Sequence, residues 1–150
     1  MLLREILPED YYNGYMDLLF EFSNYKKEII FEEFTTYINR HDQIRILVAV
    51  DENRIVGAGT IFKLDKLHNN PVGQIEDVII TESYREKRIG KQIVNHLLNI
   101  GLNEMKCYKV ILNCLDKNIR FYEVSGFSGC IYRPTTQHQF GMLQCSVSNH

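Results

Sequence analysis

The segment from residue 73 to residue 91 constrains the fold of this chain more than any other part of it. Residues 73–80 read GQIEDVII, polar at first and then continuously apolar. A surface strand alternates polar and apolar residues, so this pattern predicts a central strand that meets a site at Glu76 and Asp77 and is buried beyond them. Adjacent residues of a regular strand face opposite sides of the sheet, so we expect only one of these carboxylates to line a given pocket. A solvated turn or an ion pair explains the two carboxylates equally well at this point.

The next residues, 84–91 (YREKRIGK), form a basic loop that leads directly into a predicted helix. The first turn of a helix has unpaired backbone N–H groups and a partial positive charge, which together suit a phosphate or pyrophosphate. Gly90 would let such a ligand approach the backbone closely. Cationic side chains at a helix start oppose the helix dipole, and a bound polyanion would remove that conflict. Solvated basic loops are common, so the loop alone does not establish a binding site.

A third informative element runs from residue 113 to residue 127 (NCLDKNIRFYEVSGF). It predicts the end of a strand, a short helix, and a stop at Gly126, since glycine commonly follows the last turn of a helix. Tyr122 lies on this helix, shortly before the glycine. Periodicity alone favours Tyr122 as an ordinary core aromatic residue.

The whole pattern predicts one mixed α/β domain covering residues 1–150. Apolar periodicity and turn residues give a strand, two helices, a meander of strands, and then helix, strand, helix and strand. The sequence contains no internal repeat and no low-complexity linker. The predicted strands cover residues 1–6, 44–50, 55–63, 73–80, 108–114, 129–132 and 139–144, and the predicted helices cover residues 11–22, 31–39, 89–102 and 118–125.

Length and charge restrict the functional class. A chain of 150 residues is the size of one ordinary domain, and 17 basic against 19 acidic residues argue against a broad nucleic-acid-binding surface. No stretch approaches the roughly 20 apolar residues needed to span a membrane, and the first residues are too charged for a signal peptide. We therefore expect a cytoplasmic protein. The cysteines contain no C-x-x-C pair, so we expect no metal site and interpret them as core residues or reduced thiols.

Taken together and in this order, the three elements resemble the GNAT superfamily of acetyltransferases, and within it the glucosamine-6-phosphate N-acetyltransferase family. The segments that carry the resemblance are GQIEDV (73–78), YREKRIGK (84–91), CYKVILNC (107–114) and DKNIRFYEVSGF (116–127). It implies the acyl-CoA N-acyltransferase fold, a central mixed β-sheet flanked by helices. It also implies a homodimer that transfers an acetyl group from acetyl-CoA to glucosamine 6-phosphate, in the synthesis of UDP-N-acetylglucosamine.

The resemblance implies a role for individual residues. The catalytic residues would be Tyr122, Asn113 and Glu76. The acceptor would be held by Glu76, Asp77, Tyr108 and Lys109, the last two acting across a dimer interface, and by Ser23, Lys66 and His68 in loops. The coenzyme would be held by the strand end, the basic loop and the short helix, through Val78, Ile79, Ile80, Arg85, Glu86, Lys87, Arg88, Ile89, Gly90, Lys91, Asn118, Phe121 and Tyr122.

The implied chemistry is direct transfer in a ternary complex. An N–H group near Val78 would polarise the thioester carbonyl. Tyr122 would donate a proton to the leaving thiolate, and the carbonyl of Asn113 would orient the amine. Cys114 lies close by in sequence, but the motif gives it no His–Asp relay, so we do not expect an acetyl-cysteine intermediate.

The chain departs from the family pattern at several positions. Glu86 and Arg88 stand where the family often has glycine, and Asn113 stands where an acid is usual. Residues 139–146 lack the arginine with which the family's final strand ends, and Arg133 is the nearest candidate for that place. Other interpretations therefore stay open: a GNAT enzyme that acetylates a polyamine or a peptide amine, or an acyl-CoA-binding domain without catalytic activity.

Overall fold

The computed structural model describes residues 1–24, 27–134 and 139–146, and for residues 115–116, 129–134 and 139–146 it describes the backbone alone. Within these residues seven strands form one sheet in the order β1-β2-β3-β4-β5-β7-β6. Neighbouring strands are antiparallel, except that β4 and β5 run parallel. The mixed α/β architecture that the sequence predicts is confirmed. The strands are β1 (Leu2–Glu5), β2 (Ile44–Asp51), β3 (Arg54–Leu64), β4 (Val72–Ile80), β5 (Lys109–Leu115), β6 (Ser128–Pro134) and β7 (Gln139–Ser146), and the helices are α1 (Tyr15–Glu21), α2 (Phe31–Ile38), α3 (Ile89–Asn99) and α4 (Ile119–Val124).

Each face of the sheet buries its own hydrophobic cluster. On one face α3 packs through Ile89, Ile93 and Leu97, none of which is more than 1% exposed. On the other face α1 and α2 pack through buried residues that include Leu18 and Phe34. The buried positions of α3 recur at the predicted helical spacing. Burial of this apolar stripe holds the helix against the sheet.

The predicted helix over residues 11–22 is wrong in its first half. Pro8–Tyr11 is a short 3-10 helix, and α1 begins only after Gly14. Gly14 has φ +103°, a left-handed conformation that glycine adopts readily and that interrupts an α-helix. The predicted helix over residues 89–102 is also divided in the structure. The α-helix α3 ends at Asn99, and a π-helical turn, Ile100–Glu104, follows it directly. The predicted strands agree with the structure to within two residues at each end.

Strand β4 carries two irregularities that shape its carboxyl half. Within the described residues it pairs with β5 only as far as Ile75, and the two strands then separate. Its pairing with β3 shifts register after Glu76, so that Gly59 of β3 faces two residues of β4, and Asp77 has φ +54°. An extra residue of this kind is a β-bulge, which bends the strand and re-aims its side chains. The second half of β4 therefore has one edge that β5 does not cover.

A buried ion pair fixes the start of the chain. Asp10 is fully buried and accepts hydrogen bonds from both terminal nitrogens of the Arg4 guanidinium, at 2.7 and 2.9 Å. Its Oδ2 also accepts a hydrogen bond from the backbone N–H of Leu7 at 2.7 Å. A buried charge is tolerated only when it is paired and hydrogen-bonded. The path of β1 and the turn after it therefore depends on this pair.

Candidate active site

A large cavity opens along the uncovered edge of β4. Its volume is about 840 Å³, which lies within the range of small-molecule binding sites. We call it the β4–α3 cavity, because the end of β4 and the loop and first turn of α3 line it together with α4. It brings together nearly all of the predicted coenzyme-binding residues, namely Val78, Ile79, Ile80, Arg85, Glu86, Arg88, Ile89, Gly90, Lys91, Asn118, Phe121 and Tyr122.

The start of α3 supplies backbone hydrogen-bond donors to this cavity. The N–H group of Gln92 donates to the carbonyl of Arg88, 3.2 Å away. The N–H groups of Ile89, Gly90 and Lys91 precede that bond and lack an acceptor within the helix, as in every α-helix. Such a helix start, with the cationic side chains of its loop around it, suits a phosphate or pyrophosphate.

The loop before α3 holds two non-glycine residues in the left-handed backbone region. Glu86 has φ +69° and Arg88 has φ +60°. Side chains with a Cβ adopt this region at a cost of about 1 kcal/mol or more each. These are the positions at which the family pattern often has glycine. The loop before α3 therefore has a backbone conformation that favours glycine, although glutamate and arginine occupy these two positions.

Two aromatic side chains near the cavity, not identified from the sequence, hold the cationic loop. The guanidinium of Arg85 lies over the ring of Phe22, 5.4 Å from the ring centroid, and Nζ of Lys87 lies over the ring of Tyr84 at 4.7 Å. The Tyr84 hydroxyl in turn donates to Asp51 at 2.6 Å. Lys87 is absent from the residues that line the β4–α3 cavity. Phe22 and Tyr84 do line it, and no local sequence signal connects Phe22 with a loop so distant in the chain.

Tyr122 lines the β4–α3 cavity and is partly buried. Its ring makes edge contacts with Phe121 and Phe127, at centroid distances of 4.9 and 6.0 Å. Burial raises the pKa of the Tyr122 phenol, and the neighbouring Cys114 thiol raises it further. The phenol is therefore protonated at neutral pH and can act as a proton donor. Periodicity alone favoured a plain core position, whereas the structure places this residue both in the packing and at the cavity.

A second cavity, of about 570 Å³, lies on the face of β4 next to α2. We call it the β4–α2 cavity. Glu76 and Asp77 both line it. The expectation that only one of these carboxylates would enter a given pocket is wrong, because the bulge at Asp77 puts two consecutive residues on the same face. The side chain of Gln74 donates a hydrogen bond of 2.5 Å to Glu76 and so orients it.

Asp77 also lines two smaller cavities on this face. One, of about 270 Å³, contains Tyr15, Tyr37 and Thr60, and the other, of about 350 Å³, contains Ser23. Burial raises the pKa of Tyr15, with smaller contributions from Tyr37 and Asp77, and burial followed by Asp77 raises the pKa of Tyr37. Both phenols are therefore protonated at neutral pH. Asp77 therefore shares one small cavity with the predicted acceptor residue Ser23 and another with two tyrosines that the sequence pattern did not single out.

Other predicted residues are not among those that line these cavities. Lys109 is at the start of β5, level with the far end of β4 from the bulge, and its Nζ lies 5.4 Å from the ring centroid of Tyr108. Lys66 and His68 are exposed in the loop after β3. Asn113 is exposed on β5, one residue beyond the last that pairs with β4.

Comparison with known proteins identifies the family. The sequence matches the model of the acetyltransferase (GNAT) family over residues 2–127. It is 34% identical over 138 residues to glucosamine 6-phosphate N-acetyltransferase 1 of Dictyostelium discoideum, covering 85% of this chain and 87% of that protein. It is 30% identical over 131 residues to glucosamine 6-phosphate N-acetyltransferase of Candida albicans, covering 83% and 87%. The chain is a GNAT acetyltransferase of the glucosamine 6-phosphate N-acetyltransferase family.

The solved structures agree with this assignment. The crystal structure of glucosamine-6-phosphate N-acetyltransferase from Arabidopsis thaliana superimposes with a TM-score of 0.79 at 29% identity, covering 90% of this chain and 96% of that one. A spermidine N-acetyltransferase mutant from Vibrio cholerae, at 16% identity and a TM-score of 0.67 over 97% and 95% of the two chains, shares the fold alone. The GNAT fold that the sequence predicts is confirmed, and the acetyl donor of this family is acetyl-CoA.

Among the described residues, no group of three or more His, Cys, Asp or Glu side chains is placed to hold a metal ion. In the same part of the chain, no helix is both long and apolar enough to cross a bilayer. Cys107 and Cys114 are buried cysteines. The side chains of Cys130, Cys145 and Arg133 lie outside the described residues.

Proposed function

We propose that this chain transfers the acetyl group of acetyl-CoA to the amine of glucosamine 6-phosphate, forming N-acetylglucosamine 6-phosphate. The observation that carries the proposal is that consecutive residues at the bulge of β4 line two different cavities. Val78 lines the β4–α3 cavity, and the two residues before it, Glu76 and Asp77, line the β4–α2 cavity. An acyl donor and a polar amine would thus meet across one short piece of strand. The relatives from Dictyostelium and Candida are named for this acceptor, which supports the choice of amine.

The β4–α3 cavity has the features that an acyl-CoA needs. The edge of β4 from residue 78 to residue 80 lies beyond its pairing with β5, so its backbone groups would pair with the amides of the pantetheine arm, as in strand addition. The amides of residues 86–91 would bind the pyrophosphate at the helix start. Asn118, Phe121 and Tyr122 would form the opposite wall, with Tyr122 beside the sulfur.

The transfer forms a C–N bond and breaks the thioester C–S bond, so charge develops on the carbonyl oxygen and then on the leaving sulfur. The N–H group of Val78 would stabilise the oxygen. Tyr122, whose raised pKa keeps it protonated, would donate its proton to the sulfur. The carbonyl of Asn113 would orient the amine, and the carboxylate of Glu76 would accept its proton. No residue then needs to carry the acetyl group, which fits direct transfer in a ternary complex.

The proposal extends to the assembly and the cellular role. Tyr108 and Lys109 lie far from the bulge of their own chain, so they would complete the acceptor site of a second subunit in a homodimer. The exposed Lys66 and His68 would contact the acceptor from the loop after β3. We propose a single-domain cytoplasmic enzyme whose product feeds UDP-N-acetylglucosamine synthesis.

An assay of CoA release from acetyl-CoA tests the acceptor directly. We expect the purified protein to show a kcat/KM for glucosamine 6-phosphate at least about tenfold above those for glucosamine, spermidine and a lysine-containing peptide, since a site built around a polar group rejects analogues that lack it. Preference for spermidine or the peptide would identify a different GNAT acetyltransferase. Calorimetric binding of CoA without turnover of any amine would instead identify an acyl-CoA-binding domain.

Replacing Glu86 by glycine should tighten binding of CoA about two- to fivefold. The change removes a negative charge beside the proposed pyrophosphate site, which is worth up to about 1 kcal/mol. It also relieves the left-handed strain of φ +69°. That strain is present without the ligand, so its relief raises the free energy of unfolding rather than the affinity. Calorimetry with CoA measures the effect. Glu86→Gln is the matched control, because it removes the charge and keeps the strain, and it should give a similar gain in affinity without the gain in stability. Weaker or unchanged binding in Glu86→Gly would place the pyrophosphate elsewhere.

A further inference from the structure

Arg40 lines the β4–α2 cavity together with the two carboxylates of the bulge. It follows the last turn of α2 and lies just before β2. Its backbone is fixed at both ends: its N–H group donates to the carbonyl of Tyr37 at 3.3 Å, and its carbonyl accepts from the N–H group of Ile44 at 2.8 Å. The arginine therefore projects from a defined position in the cavity wall.

The charges of this cavity are separated along its length. In the part of the chain that the structure describes, the Arg40 guanidinium has no carboxylate within 4.0 Å, whereas Lys63 pairs with Asp65 at 3.7 Å. Tyr37 lines the same cavity, and its pKa is raised by burial and by Asp77 and lowered by Arg40. The cavity thus presents a cation, two carboxylates and a phenol that senses both charges.

The strand register gives the separation of the two ends. Glu76 lies opposite Thr60 of β3, and Ile44, which holds the Arg40 carbonyl, lies opposite Phe62 of the same strand. Two residues along a strand correspond to about 7 Å, and β2 and β4 lie on either side of β3, about 10 Å apart, so the backbones of Ile44 and Glu76 are about 12 Å apart. The side chains of Arg40 and Glu76 both line the cavity and shorten this separation from its two ends. A hexosamine 6-phosphate carries its amine and its phosphate on opposite sides of a pyranose ring. An amine near the bulge would therefore leave the phosphate within reach of the arginine.

We propose that Arg40 binds the phosphate of the amino-sugar acceptor within the same chain, and that it thereby sets the preference for a phosphorylated over an unphosphorylated sugar. A guanidinium is suited to this role, because its planar donors match phosphate oxygens in a fork and it stays charged at all working pH values. The inference rests on the proposed function, since it assigns one group of the same acceptor to one side chain.

Steady-state kinetics of Arg40→Ala test the inference. We expect kcat/KM for glucosamine 6-phosphate to fall about 10- to 100-fold, mainly through KM, as for loss of a charge-assisted hydrogen bond. The KM for acetyl-CoA and the kcat/KM for glucosamine should stay within about twofold. Arg40→Lys keeps the positive charge but loses the paired donors of the guanidinium. Its kcat/KM for glucosamine 6-phosphate should therefore lie between those of wild type and Arg40→Ala. Arg54→Ala, at the opposite end of β3 and exposed, is the matched control and should behave as wild type.

Inhibition by glucose 6-phosphate, which lacks the amine, gives a second readout that needs no turnover of a poor substrate. Its inhibition constant should rise about 10- to 100-fold in Arg40→Ala and stay constant in Arg54→Ala. An equal loss on glucosamine and glucosamine 6-phosphate, or unchanged inhibition by glucose 6-phosphate, would overturn the inference while leaving the proposed function intact. A wild-type protein that does not acetylate glucosamine 6-phosphate at all would instead remove the proposed function itself.

Discussion

Replacing Tyr122 by phenylalanine should lower kcat about 100-fold and leave the KM for acetyl-CoA within about twofold. The substitution keeps the ring, and therefore the edge contacts with Phe121 and Phe127, and removes only the hydroxyl. Loss of a positioned general acid typically costs between about 10² and 10⁴ in rate. Because the leaving thiolate is charged only late in the reaction, the loss is expected in kcat rather than in coenzyme binding.

The pH dependence separates this role from a structural one. The donor form of Tyr122 is the protonated phenol, and its pKa is raised above the ordinary value of about 10. Its contribution to kcat should therefore be fully present below pH 10 and be lost only as pH rises above that value. A basic limb near pH 8–9 that is present in wild type and absent in Tyr122→Phe would contradict a raised phenol pKa. Tyr12→Phe, on an exposed side chain, controls for loss of a hydroxyl and should leave kcat unchanged.

Replacing Asp10 by alanine should lower the free energy of unfolding by about 3–5 kcal/mol. The change leaves the partly buried Arg4 guanidinium without its carboxylate and the Leu7 N–H group without its acceptor. Breaking one partner of a buried pair costs about this much, because the remaining charge stays desolvated. For a domain of this size the loss corresponds to a fall in Tm of roughly 6–20 °C, to be measured by calorimetry and by urea unfolding.

Asp65→Ala is the matched control for this effect. Asp65 also pairs with a cation, Lys63, but its side chain is 63% exposed, and exposed pairs contribute at most about 1 kcal/mol. Asp10→Asn keeps an oxygen that can accept from the Leu7 N–H group. It should lower the free energy of unfolding by less than Asp10→Ala does. If Asp10→Ala and Asp65→Ala lower the free energy of unfolding by similarly small amounts, the buried pair of Arg4 and Asp10 does not fix the start of the chain.

Much of the fold follows from the sequence because it depends on local patterns. Alternating or continuous apolar runs identify the strands to within two residues, and the spacing of Ile89, Ile93 and Leu97 identifies the buried face of α3. The interruption before α1 is the main local error. Gly14 was visible in the sequence, but whether a glycine interrupts a helix depends on its φ, which only the packing around it decides.

The site was predicted less completely, since it depends on contacts between distant segments. The proposed coenzyme-binding loop has a local signature, and the cavity brings most of its residues together. The bulge at Asp77 has no local signature in the sequence. The residue is an aspartate with positive φ, and it stands within an otherwise regular strand pattern. That single displaced residue decides that Glu76 and Asp77 share a cavity. Phe22 and Arg40 enter the cavities from elements far away in sequence, which pattern reasoning along one segment does not reach.

The bulge also directs consecutive residues of β4 to two different cavities. Val78 packs with the α3 side of the sheet, whereas the bulged pair before it opens toward α1 and α2. Under the proposed function, recognition of the donor and choice of the amine fall to separate layers of the molecule. Residues of α2 and the turn at Arg40 can then vary to admit other amines without disturbing the coenzyme side, whereas Phe22, directly after α1, lines the β4–α3 cavity and has to stay. For protein engineering, the helical layer is the region to randomise, and the strand with its one extra residue is the region to leave untouched.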